Sequence, residues 1–140
     1  MMSVMTSPEC EPEDLEFALT WTASGRGLTG RLQARNVGQR ACRLSGKPVL
    51  VPLAPDGTEL AARTVITLEL RAPGYVLLGP GDSAVADVGW AGWNGPPASG
   101  RMLVRWPGGQ QDFRTTGPPQ PDPAPDGATN LWSSWFTPSS

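Results

Sequence analysis

Along residues 15–21, Leu-Glu-Phe-Ala-Leu-Thr-Trp, every second side chain is large and apolar, so that Leu15, Phe17, Leu19 and Trp21 share one face. Extended backbone sends successive side chains to opposite sides, and this period of two predicts a half-buried strand. After turn chemistry at Ser24-Gly25-Arg26-Gly27 the alternation resumes over residues 28–36, with Leu32 and Ala34 facing in and Arg31, Gln33 and Arg35 facing out. The two segments predict an antiparallel pair. Residues 49–53 read as a short apolar strand whose Pro52 lacks an N–H and belongs at an edge or a bulge. Residues 64–70 are rich in β-branched side chains and form the next expected strand, with room for one helical turn over residues 59–63 before it. Residues 83–90 place Ala84, Ala86, Val88 and Trp90 on one face, and residues 101–106 do the same with Met102, Val104 and Trp106.

Glycine and proline, 17 and 16 of 140 residues, punctuate these segments and approach the level at which disorder competes with folding. Six tryptophans and a hydrophobic fraction of 39% nonetheless require a core. Ala54-Pro55-Asp56-Gly57 and Leu78-Gly79-Pro80-Gly81-Asp82 are tight turns, and residues 92–100, with Pro96 and Pro97, are an exposed loop. About seven to nine short strands separated by such turns predict an all-β, two-sheet β-sandwich, with a closed β-barrel as the second architecture. The chain is long enough for one domain with its own core. It divides into a flexible N-terminus (residues 1–9), the sandwich (10–116), a Pro-rich loop or linker (117–127) and a C-terminal segment (128–140). Leu131-Trp132-Ser133-Ser134-Trp135-Phe136 in that last segment is expected to dock back as a final strand, because exposed large aromatics would invite association.

Several function classes fall away. The net charge is −2 and no two basic residues are adjacent, which removes the electrostatic footprint of a nucleic-acid or anionic-membrane binder. The longest apolar stretch, residues 49–54, is far short of the roughly 20 residues of a membrane-spanning helix. Residues 1–8 show neither the basic region nor the apolar segment of a secretory signal. The chain contains no histidine, hence no histidine-dependent triad and none of the commonest general base or metal ligand. Asp14, Glu16, Asp82 and Asp87 could supply a carboxylate pair for glycoside hydrolysis, but Glu16 and Asp87 fall on outward faces and the favoured reading of all four is solvated surface carboxylates. Two cysteines cannot close a zinc site. Asp56, Thr58 and Glu59, or Asp122 and Asp126, are oxygen donors in turns without the dense spacing of a calcium loop. No metal, no cofactor and no enzymatic activity are expected.

Cys10 and Cys42 admit a structural disulfide, a pair of buried thiols or redox chemistry. No Cys-x-x-Cys is present, and Cys10 lies between Glu9 and Glu11, which disfavour a reactive thiolate; the disulfide is the preferred reading. A bond would place the chain in an oxidising compartment, at odds with the N-terminal sequence. Trp21, Trp90 and Trp106 fit core positions by alternation. Trp93 stands in the 92–100 loop and is the first candidate for a ligand contact, beside the aromatic cluster of Trp132, Trp135 and Phe136.

The order Cys10, Asp14-Leu15, Arg35-Asn36-Val37-Gly38, Cys42-Arg43-Leu44-Ser45-Gly46-Lys47-Pro48, Asp56-Gly57, Leu78-Gly79-Pro80-Gly81-Asp82-Ser83-Ala84 and Trp90 resembles the domain of unknown function 4232 family, from about Cys10 to Phe136. That family is found mainly in secreted, lipoprotein and envelope-associated proteins of actinobacteria. The resemblance implies an immunoglobulin-like β-sandwich, a Cys10–Cys42 bond and a cell-envelope setting, with no established activity or ligand. Ser7-Pro8-Glu9 before Cys10 is not a lipidation signal, Lys47 stands where an aromatic is common, and the later cysteine pair frequent in the family is missing, which leaves the C-terminal half held by packing alone. The expected function is a non-enzymatic binding or structural module of the bacterial envelope or exterior, with an unidentified protein or glycan partner. The alternatives are a carbohydrate-binding or carbohydrate-active protein using exposed tryptophan, and a cytosolic interaction domain with reduced cysteines.

Overall fold

A computed structural model describes residues 7–62 and 74–139. The strand expected over residues 64–70 lies outside them. Among the described residues a 3-10 turn, Pro12–Asp14, is followed by β1 (Leu15–Ser24), β2 (Gly27–Asn36), β3 (Cys42–Ser45), β4 (Val49–Leu53), β5 (Tyr75–Leu78), β6 (Ser83–Ala91), β7 (Arg101–Trp106), β8 (Gly109–Arg114), β9 (Asn130–Ser133) and β10 (Thr137–Pro138). The expected all-β class holds.

β1 and β2 pair antiparallel along their whole length, from Leu15 opposite Asn36 to Ser24 opposite Gly27. Gly25, at φ +60°, takes the turn position that other residues avoid. β6 continues the sheet beyond β2, and its far edge is shared by β9 and β10, giving five strands. Two shorter ladders, β3–β5 and β4–β7–β8, pack against this sheet. Phe17 of β1 meets Trp106 of β7 at 5.2 Å and Phe113 of β8 at 5.9 Å between ring centroids, so the inward faces form one core. Leu15, Phe17, Leu19, Trp21, Leu32, Ala34, Ala84, Ala86, Val88, Trp90, Met102, Val104 and Trp106 all lie in that core, each on the face its alternation predicts.

The sandwich is partly closed at its margins. Beyond β8, Thr116 crosses to β1, donating from its N–H to the carbonyl of Leu19 and accepting from the N–H of Trp21. On the other margin the Ser133 hydroxyl donates to the Pro48 carbonyl at 2.6 Å. The helical turn weighed for residues 59–63 is not formed over its described part. Glu59 instead bridges antiparallel to Leu53, and the N–H of Leu60 donates to the carbonyl of Pro52, so the segment after the Ala54–Thr58 turn folds back along β4. β3, β5 and β8 carry weaker sequence signals. β8 buries only Phe113, and its Gln111 reaches back to donate to the carbonyls of Pro12 and Leu15.

Candidate functional site

Cys10 and Cys42 are bonded, and both are fully buried. Residues 8–10 run beside β3, with the Arg43 N–H on the Pro8 carbonyl and the Cys10 N–H on the Arg43 carbonyl. The Glu9 carboxylate accepts from the Ser45 N–H, the Ser45 hydroxyl and Arg43 Nε. Trp106 Nε1 donates to the Cys10 carbonyl at 2.7 Å, which ties the same segment to β7. Asn36 completes this corner. It is 1% exposed; its Nδ2 donates to the carbonyls of Arg40 and Leu78, and its Oδ1 accepts from the Gly38 N–H. The groups are satisfied, so the corner is a structural clasp.

Of the carboxylates weighed for hydrolysis, Asp14, Asp82 and Asp87 are each tied to a different partner. Asp14, expected on the surface, is buried instead, because its Oδ2 accepts from the Glu11 N–H in a capping box and lies 3.4 Å from Arg40. Asp82 holds the Gly79 N–H in the turn before β6. Glu16 and Asp87 are exposed, and Asp87 pairs with Arg31 at 3.5 Å. In each of the two turns weighed for calcium one carboxylate is occupied locally. Asp56 accepts from the N–H and hydroxyl of Thr58, which hold its carboxyl below the usual range, and Asp126 accepts from the Ala128 N–H. No group of three or more metal-ligating side chains occurs among the described residues.

Trp93 is not an open platform. It is 6% exposed, its ring lies 5.8 Å from that of Trp90, and its Nε1 donates to the Pro96 carbonyl. Around it the Pro-rich segment is fastened as a strap. Asn94 Nδ2 donates to the Ala124 carbonyl, Trp90 Nε1 to the Thr129 hydroxyl, and the Ala98 N–H to Gln120 Oε1. Gly92, at φ +74°, is needed where the strap passes, since a Cβ there would collide with the Ala128 carbonyl. Trp93 itself is covered by its own loop, where a Cβ at Gly95 would fall against its ring. Farther along, Leu131 and Phe136 enter the core, while Trp132 and Trp135 stay part-exposed.

A concavity lies on the outward face of β4–β7–β8. Cross-strand rows there are Val49, Arg105 and Gln110; Val51, Leu103 and Asp112; Leu53, Arg101 and Arg114. The returning segment of residues 54–59 walls one side and leaves a groove of about 420 Å³ with Leu103 in its floor. Arg101 donates to Asp112 from Nη2 at 2.8 Å and from Nε at 3.3 Å. Arg105 spans to Glu59 at 2.7 Å and to Gln110 at 3.0 Å. The Arg101 hydrogen bond holds the Asp112 carboxyl below its ordinary range, so it stays ionised and accepts. Leu103 is only 8% exposed although its strand parity points it outward, whereas Val49 is 40% exposed. Leu103 and its register partner Val51 thus lie in the row between those of Arg101 and Arg105, while Val49 stands in the row of Arg105. The sequence carried one sign of the groove, an apolar Leu103 at an outward position of β7, but the wall at Glu59 comes from another part of the chain.

The chain belongs to the family described as domain of unknown function (DUF4232), whose model matches residues 10–133. Among curated proteins, none matches the sequence significantly.

Proposed function

We propose that this member of the family is a non-enzymatic binding module of the bacterial cell envelope or exterior, and that the β4–β7–β8 face receives an extended polypeptide segment. The observation that carries the reading is the groove floored by Leu103, in the row between Arg101, which pairs with Asp112, and Arg105, which reaches Glu59. Apolar centre and polar rim is the anatomy of a protein-recognition surface, and arginine is enriched in such surfaces. Asp112, held ionised by Arg101, suits acceptance of a partner's N–H better than proton delivery. The groove rests on paired strands, so little is lost in ordering it on binding. The Cys10–Cys42 bond suits an oxidising compartment.

Selection of a random peptide library on the immobilised, disulfide-intact chain tests this. Enriched peptides should bind the wild type and lose at least about tenfold in affinity, or about 1.4 kcal/mol, on Leu103→Asp and on Arg101→Ala. No enrichment, or enriched peptides indifferent to both substitutions in folded protein, would sink the reading.

A further inference from the structure

We infer a second binding surface on the outward face of the five-stranded sheet, where Trp132 laid over Gly89 forms a stacking platform for a pyranose ring of a neutral glycan. Val88 and Trp90 face the core, so Gly89 between them faces out. Its partner in register on β9 is Trp132. The backbone of Gly89 has no positive φ that would demand glycine. The demand is spatial, because a Cβ at residue 89 would fall against Nε1, Cε2 and Cζ2 of the Trp132 indole. Glycine inside a strand weakens it and marks a close approach, and here the approaching group is the Nε1–Cε2–Cζ2 side of the Trp132 ring. The exposed part of that ring therefore looks away from the sheet. Core packing does not require it, since Leu131 and Phe136 fill the interior from the same segment at 1% and 4% exposure.

The surroundings specify the ligand class. In the row that contains the platform, Thr22 stands opposite Thr29 and Thr29 opposite Gly89, and both threonines are exposed. Thr29 lies two strands from Trp132, roughly 10 Å across the sheet. In the next row Arg31 stands opposite Asp87, with side chains 69% and 64% exposed. These two rows therefore combine an indole, hydroxyls, a donor fork and an acceptor carboxylate. A sugar ring matches this: its C–H face stacks on indole, and its hydroxyls meet donors and acceptors together. The opposite charges of Arg31 and Asp87 favour a neutral ligand over a polyanion. This surface is independent of the groove on β4–β7–β8.

The test uses the disulfide-intact chain titrated with soluble oligosaccharides of glucose, mannose, galactose, arabinose and N-acetylglucosamine, read by tryptophan fluorescence and calorimetry. At least one should bind. Trp132→Ala should weaken it about tenfold or more, Thr29→Val and Asp87→Asn should each weaken it several-fold, and Leu103→Asp should leave it unchanged. Absence of binding across the panel at millimolar sugar overturns the proposal, as does undiminished affinity in a folded Trp132→Ala variant. Should Trp132→Ala lower the melting temperature, unchanged affinity in both Thr29→Val and Asp87→Asn overturns it, since those side chains are exposed. Loss of peptide binding with glycan binding intact in Leu103→Asp separates this surface from the groove.

Discussion

The two ends of the chain are fastened to the same sandwich by different means. At the N-terminal end, Cys10 is bonded to Cys42, Glu9 is held by Arg43 and Ser45, and Asn36 and Asp14 satisfy the intervening turns. At the C-terminal end the chain has no further cysteine; Leu131 and Phe136 are held by burial and strand pairing, and the Pro-rich strap by hydrogen bonds from Trp90, Asn94 and the Ala98 N–H. The composition of each segment explains the choice. Residues 9–14 include Glu9, Glu11, Glu13 and Asp14, too little apolar surface to anchor anything, so a covalent bond and a hydrogen-bonded clasp replace it. Residues 131–136 bring large apolar side chains and need no staple. A small domain can thus close one end by constraint and the other by core.

The disulfide carries the largest expected effect. Replacing Cys10 and Cys42 by serine should lower unfolding free energy by about 3.7 kcal/mol in the chain-entropy model for a 32-residue separation, measured by urea denaturation. A smaller loss than at the C-terminal end would show that the clasp alone suffices. Leu131→Ala, which empties a site 1% exposed, should cost about 3 kcal/mol. Hydrogen exchange should then quicken at β9 and its β6 partners and stay unchanged at Cys10 and Arg43; loss of protection at both ends would deny their separation. Asn36→Ala should cost about 2 kcal/mol, because it strips hydrogen bonds from the Leu78 carbonyl and the Gly38 N–H in a buried turn. The smallest effect belongs to the exposed pair away from both ends. Arg101 lowers the Asp112 pKa in the folded chain, so the pair's contribution is present above the ordinary carboxyl range near 3.9 and is lost as pH falls through the lowered value. Carboxyl NMR titration should place Asp112 below that range in the wild type and return it there in Arg101→Ala.

Much of the fold is written locally. Period-two alternation marks β1, β2, β6 and β7 and assigns their inward residues, because the pleat decides facing one residue at a time. β8 escapes that reading, since Phe113 is its only buried apolar side chain. Its loop position makes Trp93 a ligand candidate, yet the ring is 6% exposed, packed by Trp90 and by Gly95 and Pro96 of its own loop. Leu103 could be placed on an outward face but not in a groove, since the wall at Glu59 depends on the chain folding back along β4.

By itself the sequence determined an all-β chain, its main strand faces, its tight turns and a preferred Cys10–Cys42 pairing, because backbone geometry, turn stereochemistry and cysteine reactivity are short-range properties. Tertiary folding alone sets Gly89 under Trp132, brings Arg105 to Glu59 and buries Asp14 beside Arg40. Those neighbours come from segments far apart in the chain, and strand order and register, which no local pattern encodes, bring them together.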